Sequence, residues 1–142
     1  MTNVVLITKK LAMLEKHLQR LRERRPDTFE AFEKDPLLQD AVAMSRLVVV
    51  QEALDIALHI ASDEGWEVAE TYREAFAVLE RHGLIEASLA NTLSGSSALR
   101  NRIAHGYASV NQKRLWAELP GGIRAFSEFA ARVAAFLSRP AG

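Results

Sequence analysis

The residues best suited to chemistry lie together in the stretch 100–107, which reads Arg-Asn-Arg-Ile-Ala-His-Gly-Tyr. Arg100 and Arg102 carry planar groups of donors that suit a phosphate, and His105 can accept or donate a proton near neutral pH. Tyr107 adds a hydroxyl and an aromatic face. Since no other part of the chain concentrates such groups, we interpret the other segments as the scaffold that positions this stretch.

The residue types of this stretch favour metal-independent chemistry, and ribonucleolysis fits them. It contains no carboxylate and only one histidine, whereas a metal site needs several such ligands. In ribonucleolysis a base activates the ribose 2′-hydroxyl, which attacks the neighbouring phosphate while cations stabilise the developing charge. His105 is the candidate for proton transfer and Arg100 for the phosphate clamp, with Arg102 in reserve. One histidine per chain is few for both acid and base, and a two-fold cleft between two chains would supply the second.

A simpler interpretation stays open at this point. If the stretch forms the last turns of a helix, Arg102 and His105 lie three residues apart on one face. Their charges then complement the helix dipole without any catalysis. Because short motifs give many chance matches, the spacing alone does not choose between a helix terminus and an active site.

Composition limits the classes of protein and partner. The 142 residues suffice for one domain with a core, predicted to span 1–142, and 49% hydrophobic with 25% charged residues is typical of a folded chain. The 18 basic and 18 acidic residues cancel, so an anionic partner must be met by a local patch. The absence of cysteine excludes disulfides and thiolate metal sites. The first residues do not resemble a signal peptide, and no apolar run approaches a membrane span, so we expect a cytoplasmic protein without a membrane partner.

Hydrophobic periodicity predicts an all-α fold, an up-down antiparallel helical bundle. The predicted helices cover about 4–25, 28–33, 36–64, 71–81 and 86–105, followed by a C-terminal helix that includes 123–136. The helix over 36–64 is apolar on two faces, which predicts a central position or an oligomer interface. Ser94-Gly95-Ser96-Ser97 is expected to weaken or kink the fifth helix, and Pro120-Gly121-Gly122 to interrupt the last part of the chain.

A polar stripe on the central helix carries Gln51, Asp55, His59 and Ser62. Asp55 and His59 are four residues apart and therefore stack on one face. Such a pair is commonly a surface ion pair or hydrogen bond. The other interpretation is a supporting, second-layer role beside the active groove, and the spacing leaves both open.

The sequence resembles the HepT-like toxins, small all-helical ribonucleases of the HEPN superfamily. Their signature is Arg, four residues, His, any residue and Tyr, which Arg100, His105 and Tyr107 match in full. The segments 51–60, 71–76 and 83–85 are also similar to the family, and the resemblance covers about residues 40–107. Gly106 departs from the acidic or polar residue that many relatives carry between the His and the Tyr.

The resemblance implies a homodimeric HEPN-like bundle that cuts RNA without a metal ion, with both motifs in a cleft at the dimer interface. Arg100 and His105 would be catalytic, while Asn101, Arg102 and Tyr107 would support RNA binding. It also implies a type II toxin–antitoxin system with a MntA-like minimal nucleotidyltransferase as antitoxin. That partner would silence the toxin by AMPylation of Tyr107. ATP and Mg²⁺ belong to the partner's reaction, so no cofactor and no DNA partner are expected for this chain.

Two other functions remain as alternatives. The chain can be a non-catalytic helical module that binds a nucleotide or substrate for a nucleotidyltransferase, with its arginines gripping phosphates while no bond is broken. It can also be a structural dimer whose basic groove takes no ligand. No aromatic platform for reading bases is visible, so the sequence does not identify the RNA.

Overall fold

The computed structural model describes residues 1–106 and 110–140, and over these residues the chain forms helices and no strand. The helices are α1 Val4–Arg24, α2 Phe29–Glu33, α3 Pro36–Asp63, α4 Tyr72–Arg81, α5 Ala87–His105 and α6 Gln112–Leu137. The all-α class predicted from hydrophobic periodicity is confirmed. None of these described helices combines the length and the apolar character that crossing a bilayer requires.

Local signals at the helix ends explain where the helices start and stop. Five helices begin at a side chain that accepts a hydrogen bond from a free backbone amide of the first turn: Asn3, Thr28, Asp35, Thr71 and Asn111. Each cap of this kind contributes about 1 kcal/mol. Gly65 and Gly83 follow α3 and α4 with φ of 72° and 76°, a left-handed conformation that glycine adopts without steric cost. These turns let α3, α4 and α5 pack side by side.

The long helix α3 lies at the centre of the bundle and contacts each of the other five helices. Its buried residues occupy two faces and include Val49, Val50, Ala53, Leu54, Ile56, Ala57, Ile60 and Ala61. The predicted central position is therefore confirmed. Because burying a Leu or Ile side chain contributes about 1.5–3 kcal/mol, α3 is a firm support for the helices that carry the motif.

The two predicted weak points do not interrupt their helices. α5 is continuous through 94–97 and α6 through Pro120-Gly121-Gly122, so the interruption expected at Pro120 is wrong. Proline has no N–H, which leaves the carbonyl of Trp116 without its helical donor. Nε of Arg25 supplies a donor at 3.0 Å, and its guanidinium carbon lies 4.2 Å from the centre of the Trp116 ring. α6 thus stays helical because α1 replaces the hydrogen bond that Pro120 removes.

Candidate active site

Arg100 is held by side chains on its own helix and on two neighbouring helices. Its Nη2 donates to Oε1 of Gln51 on α3 at 2.9 Å, and its Nη1 donates to Oδ1 of Asn101 at 3.2 Å. Its guanidinium carbon lies 5.0 Å from the centre of the Tyr72 ring at the start of α4. A half-buried guanidinium with these contacts has few orientations available, so it offers its donors to a phosphate in a defined direction.

A chain of polar contacts runs from Arg100 to α1. Nε2 of Gln51 donates to Oδ1 of Asp55 at 3.2 Å, and Nζ of Lys10 donates to Oδ2 of Asp55 at 3.4 Å. The carboxylate accepts and the guanidinium donates, which determines which end of the Gln51 amide faces each of them. Asp55 therefore lies behind Gln51, in a position that supports Arg100 through one intervening side chain.

The second member of the predicted helical pair lies apart from this chain of contacts. His59 is exposed on α3. Asp55 uses its two oxygens on Gln51 and Lys10 rather than on the imidazole. The structure thus brings Asp55, and not His59, into the surroundings of Arg100.

His105 is the last residue of α5 and is exposed. Within the part of the chain that the structure describes, its imidazole forms no hydrogen bond or ion pair. It lies five residues after Arg100, which is about 140° around an ideal helix. The two side chains leave α5 in different directions, so a phosphate that meets both must sit at the helix end or between two chains.

Arg102 leaves α5 on another side, about 200° from Arg100 by the helical period. It is exposed, and it borders a groove between α5 and α6 together with Leu99, Asn111, Arg114, Leu115 and Glu118. The structure therefore separates two arginines that are only two residues apart in the sequence. Tyr107, the predicted modification site, lies outside the described residues.

The sequence analysis did not assign three residues to the site that the structure places there. Gln51 and Tyr72 contact Arg100, and Lys10 contacts Asp55. Gln51 lies on the polar stripe of a helix that is otherwise apolar on two faces, and this stripe is the signal that could have identified it. No comparable signal exists for Tyr72, because its contact with Arg100 arises only when α4 packs against α5. No cluster of His, Cys, Asp or Glu able to hold a metal ion occurs among the described residues.

The chain folds as an all-helical bundle, and one helix ends with Arg100 followed five residues later by His105. The model of the HepT-like family, described as ribonuclease HepT-like, matches residues 14–133. The chain therefore belongs to the HepT-like family, and the resemblance seen in its sequence is confirmed.

Two relatives share parts of this sequence. The chain is 27% identical to the mRNA nuclease HepT of Shewanella oneidensis over 106 residues, which cover 75% of this chain and 79% of the relative. It is 24% identical to the tRNA nuclease HepT of Aphanizomenon flos-aquae over 143 aligned positions, which cover 96% of this chain and 95% of the relative.

Solved structures share the fold over nearly the whole chain. One is a tri-AMPylated HEPN toxin of Shewanella oneidensis in complex with MNT antitoxin, with a TM-score of 0.85 at 24% identity over 95% of this chain and 99% of that one. Another is YutE of Bacillus subtilis, a cytosolic protein of unknown function, with a TM-score of 0.84 at 15% identity over 99% and 96%. At these identities the likeness establishes a common fold.

Proposed function

We propose that this chain is the toxin of a toxin–antitoxin system and an endoribonuclease that cuts RNA without a metal ion. The observation that carries the proposal is an Arg100 whose guanidinium is hydrogen-bonded to Gln51, followed five residues later by an accessible His105, in a member of a ribonuclease family. Cleavage of a phosphate ester needs a fixed cation and a group that transfers protons. Relatives named as an mRNA nuclease and a tRNA nuclease support RNA as the substrate.

The proposed reaction uses the 2′-hydroxyl of the RNA as nucleophile. His105 takes its proton, the 2′-oxygen forms a bond to phosphorus, and the bond from phosphorus to the 5′-oxygen breaks. His105 of a second copy gives a proton to that leaving oxygen, since each motif contains one histidine. Arg100 donates to the non-bridging oxygens as their negative charge grows. We propose that no metal ion takes part because the stretch 100–107 contains no carboxylate ligand.

A homodimer is part of the proposal because an apolar surface borders the motif. Met44 on α3 is 58% exposed, and it lines a groove of about 420 Å³ together with Asp40, Ala43, Leu47, Ile103 and Ala104. Ala104 directly precedes His105, so a second copy seated on this surface would bring the two motifs close together. An apolar patch beside a functional site is typical of an interface.

A negative charge placed on this apolar surface tests the dimer. Met44→Glu is expected to yield a monomer by light scattering and to lose RNA cleavage while its helical circular dichroism is kept. Met13→Glu is the matched control, because Met13 is also exposed, at 41%, but lies on α1. A Met44→Glu protein that stays dimeric and active would contradict the proposed interface.

The proposed partner is a minimal nucleotidyltransferase antitoxin of the MntA type, which transfers AMP from ATP to Tyr107. Support comes from the similar HEPN toxin, which is tri-AMPylated and bound to MNT antitoxin. AMP on Tyr107 would add bulk and negative charge close to Arg100 in the chain. Both effects oppose the approach of an RNA backbone.

RNA cleavage by antitoxin-free protein is the central experiment. Arg100→Met and His105→Ala are expected to lower the cleavage rate by at least about 100-fold, the loss typical of an electrostatic or proton-transfer group. Arg132→Met removes an exposed arginine of α6 and should keep the wild-type rate. Wild-type cleavage by His105→Ala would refute the mechanism, and cleavage that stops in EDTA would refute metal independence. RNA binding without cleavage by the wild type would favour the non-catalytic binding module.

The modification is tested by intact mass after co-expression with a minimal nucleotidyltransferase of the MntA type. The wild type is expected to gain one or more AMP units and to lose nuclease activity. Tyr107→Phe is expected to gain none. AMP on Tyr107→Phe protein would place the modification on another residue and contradict the assignment.

A further inference from the structure

A buried arginine on α3 is not used by the proposed reaction. Arg46 is 5% exposed, and its Nη2 donates to Oγ of Ser96 on α5 at 3.2 Å. Its Nη1 finds no hydrogen-bond partner among the residues that the structure describes. The guanidinium carbon lies 5.1 Å from the centre of the Phe126 ring. A donor left unpaired in a protein interior is costly, so this position needs an explanation.

Gly122 on α6 makes room for this guanidinium. A Cβ at position 122 would lie 2.5 Å from Nη1 of Arg46, closer than any ordinary contact. At Gly121 the same atom would meet nothing nearer than 3.8 Å. The guanidinium of Arg46 therefore fits here because residue 122 on the facing helix is a glycine.

Arg46 carries a positive charge and forms no ion pair with a described carboxylate. Burial lowers the pKa of Arg46 to about 10, so the group stays protonated at neutral pH. Glu118, the acidic group that acts on it most, accepts a hydrogen bond from Nε of Arg114 at 2.8 Å instead. Within the described residues no carboxylate lies within 4.0 Å of Arg46. A buried cation without a counter-ion is unfavourable, and an anionic ligand would relieve it.

Arg46 contributes to the lining of a second groove between α5 and α6, which lies beside the one described above and has a volume of about 540 Å³. Four arginines and one glutamate line it, the arginines being Arg46, Arg102, Arg114 and Arg124. Gly95, Ser96 and Gly121 keep one part of the lining free of large side chains. The groove is therefore positively charged and has the size of a small-molecule site.

We propose that this groove binds a phosphate group, with the Arg46 guanidinium and the Ser96 hydroxyl at its base and Arg102 at its rim. Guanidinium groups match the oxygens of phosphate in geometry and charge. This phosphate site is separate from the place where Arg100 would meet the scissile phosphate. Arg100 faces Gln51 and Tyr72, whereas Arg102 faces α6. The phosphate belongs to a mononucleotide or to an RNA strand that continues past the cut.

Calorimetric titration of the full chain tests the proposal without any cleavage step. The probes are inorganic phosphate, AMP, adenosine and a short 2′-O-methyl oligoribonucleotide, which lacks the nucleophilic hydroxyl. Arg46→Met keeps the size of the side chain and removes its charge, and is expected to weaken phosphate binding by about tenfold or more. Arg132→Met removes the same charge from an exposed position on α6 and should bind like the wild type.

The pattern of ligands identifies the source of the phosphate. Binding of AMP and inorganic phosphate assigns the site to a mononucleotide, whereas binding of the oligonucleotide alone assigns it to an RNA strand. Equal affinities of wild type and Arg46→Met, tight binding of adenosine, or no binding of any phosphate probe to the wild type would overturn the proposal. Arg102→Met, a change at an exposed position, gives a second test if Arg46→Met does not fold, and should weaken binding about threefold. Nuclease activity is measured separately, so a failed anion site leaves the proposed function standing.

Discussion

Replacing Gln51 with methionine tests whether Arg100 depends on α3 for its orientation. Methionine has a similar length but cannot accept a comparable hydrogen bond from Nη2 of Arg100, which lies 2.9 Å from Oε1 of Gln51. A hydrogen bond to a charged group contributes about 1.5–3 kcal/mol, and we take the lower end because Arg100 is only half-buried. If that contribution is lost from the transition state, about 1.5 kcal/mol corresponds to an about tenfold lower cleavage rate.

Single-turnover cleavage of a fluorogenic RNA measures this effect in a double-mutant cycle. Gln51→Met is expected to slow the wild type about tenfold and to add little to Arg100→Met, where the interaction is already absent. Gln19→Met is the matched control, because Gln19 is an exposed glutamine on α1 that bonds Glu23, and it should cleave at the wild-type rate. An equal effect of Gln51→Met in both backgrounds would refute the positioning role.

Three further predictions concern stability. Arg25→Met should destabilise the protein by about 1–2 kcal/mol because the Trp116 carbonyl loses its donor. The loss should be smaller in a Pro120→Ala background, because the backbone N–H that this substitution adds at position 120 can donate to that carbonyl. Urea unfolding of the four proteins checks this, and equal losses would contradict it. Burial and nearby positive charges lower the pKa of His17 from its usual 6.5. The unfolded chain then binds protons more readily, so stability should fall as the pH drops below 6.5, and His17→Asn should flatten that dependence. Thr71→Ala should cost about 1 kcal/mol in thermal unfolding by removing the α4 cap.

The helical elements were predictable because their signals are local. Periodic apolar residues, a cap at Thr71 and glycine at 83 act within a few residues of one another, and they predicted α4 and α3 closely. The continuity of α6 was not predictable in this way. It depends on Arg25, a residue far away in sequence, reaching the carbonyl that Pro120 leaves unpaired.

The residues of the candidate site were predictable from the sequence, but the neighbours that their side chains face were not. The motif identified Arg100 and His105, and the spacing placed both in the last turns of a helix. The partners of Arg100 were not visible, since Gln51 is separated from it by 49 residues and the pair forms only when α3 and α5 pack together. Arg46 gave no signal at all, because its burial depends on Gly122 of the facing helix.

The sequence by itself therefore determined the family and the helical class, and it supplied the candidates for the reactive residues. These follow from short-range patterns that survive without knowledge of the packing. Only the tertiary structure decided that Arg100 faces α3 and α4, that Arg102 faces a groove with α6, and that Arg46 lies buried at that groove. The physical reason is that a side chain's direction and charge environment are set by whichever helices fold against it, and those contacts join residues far apart in the chain.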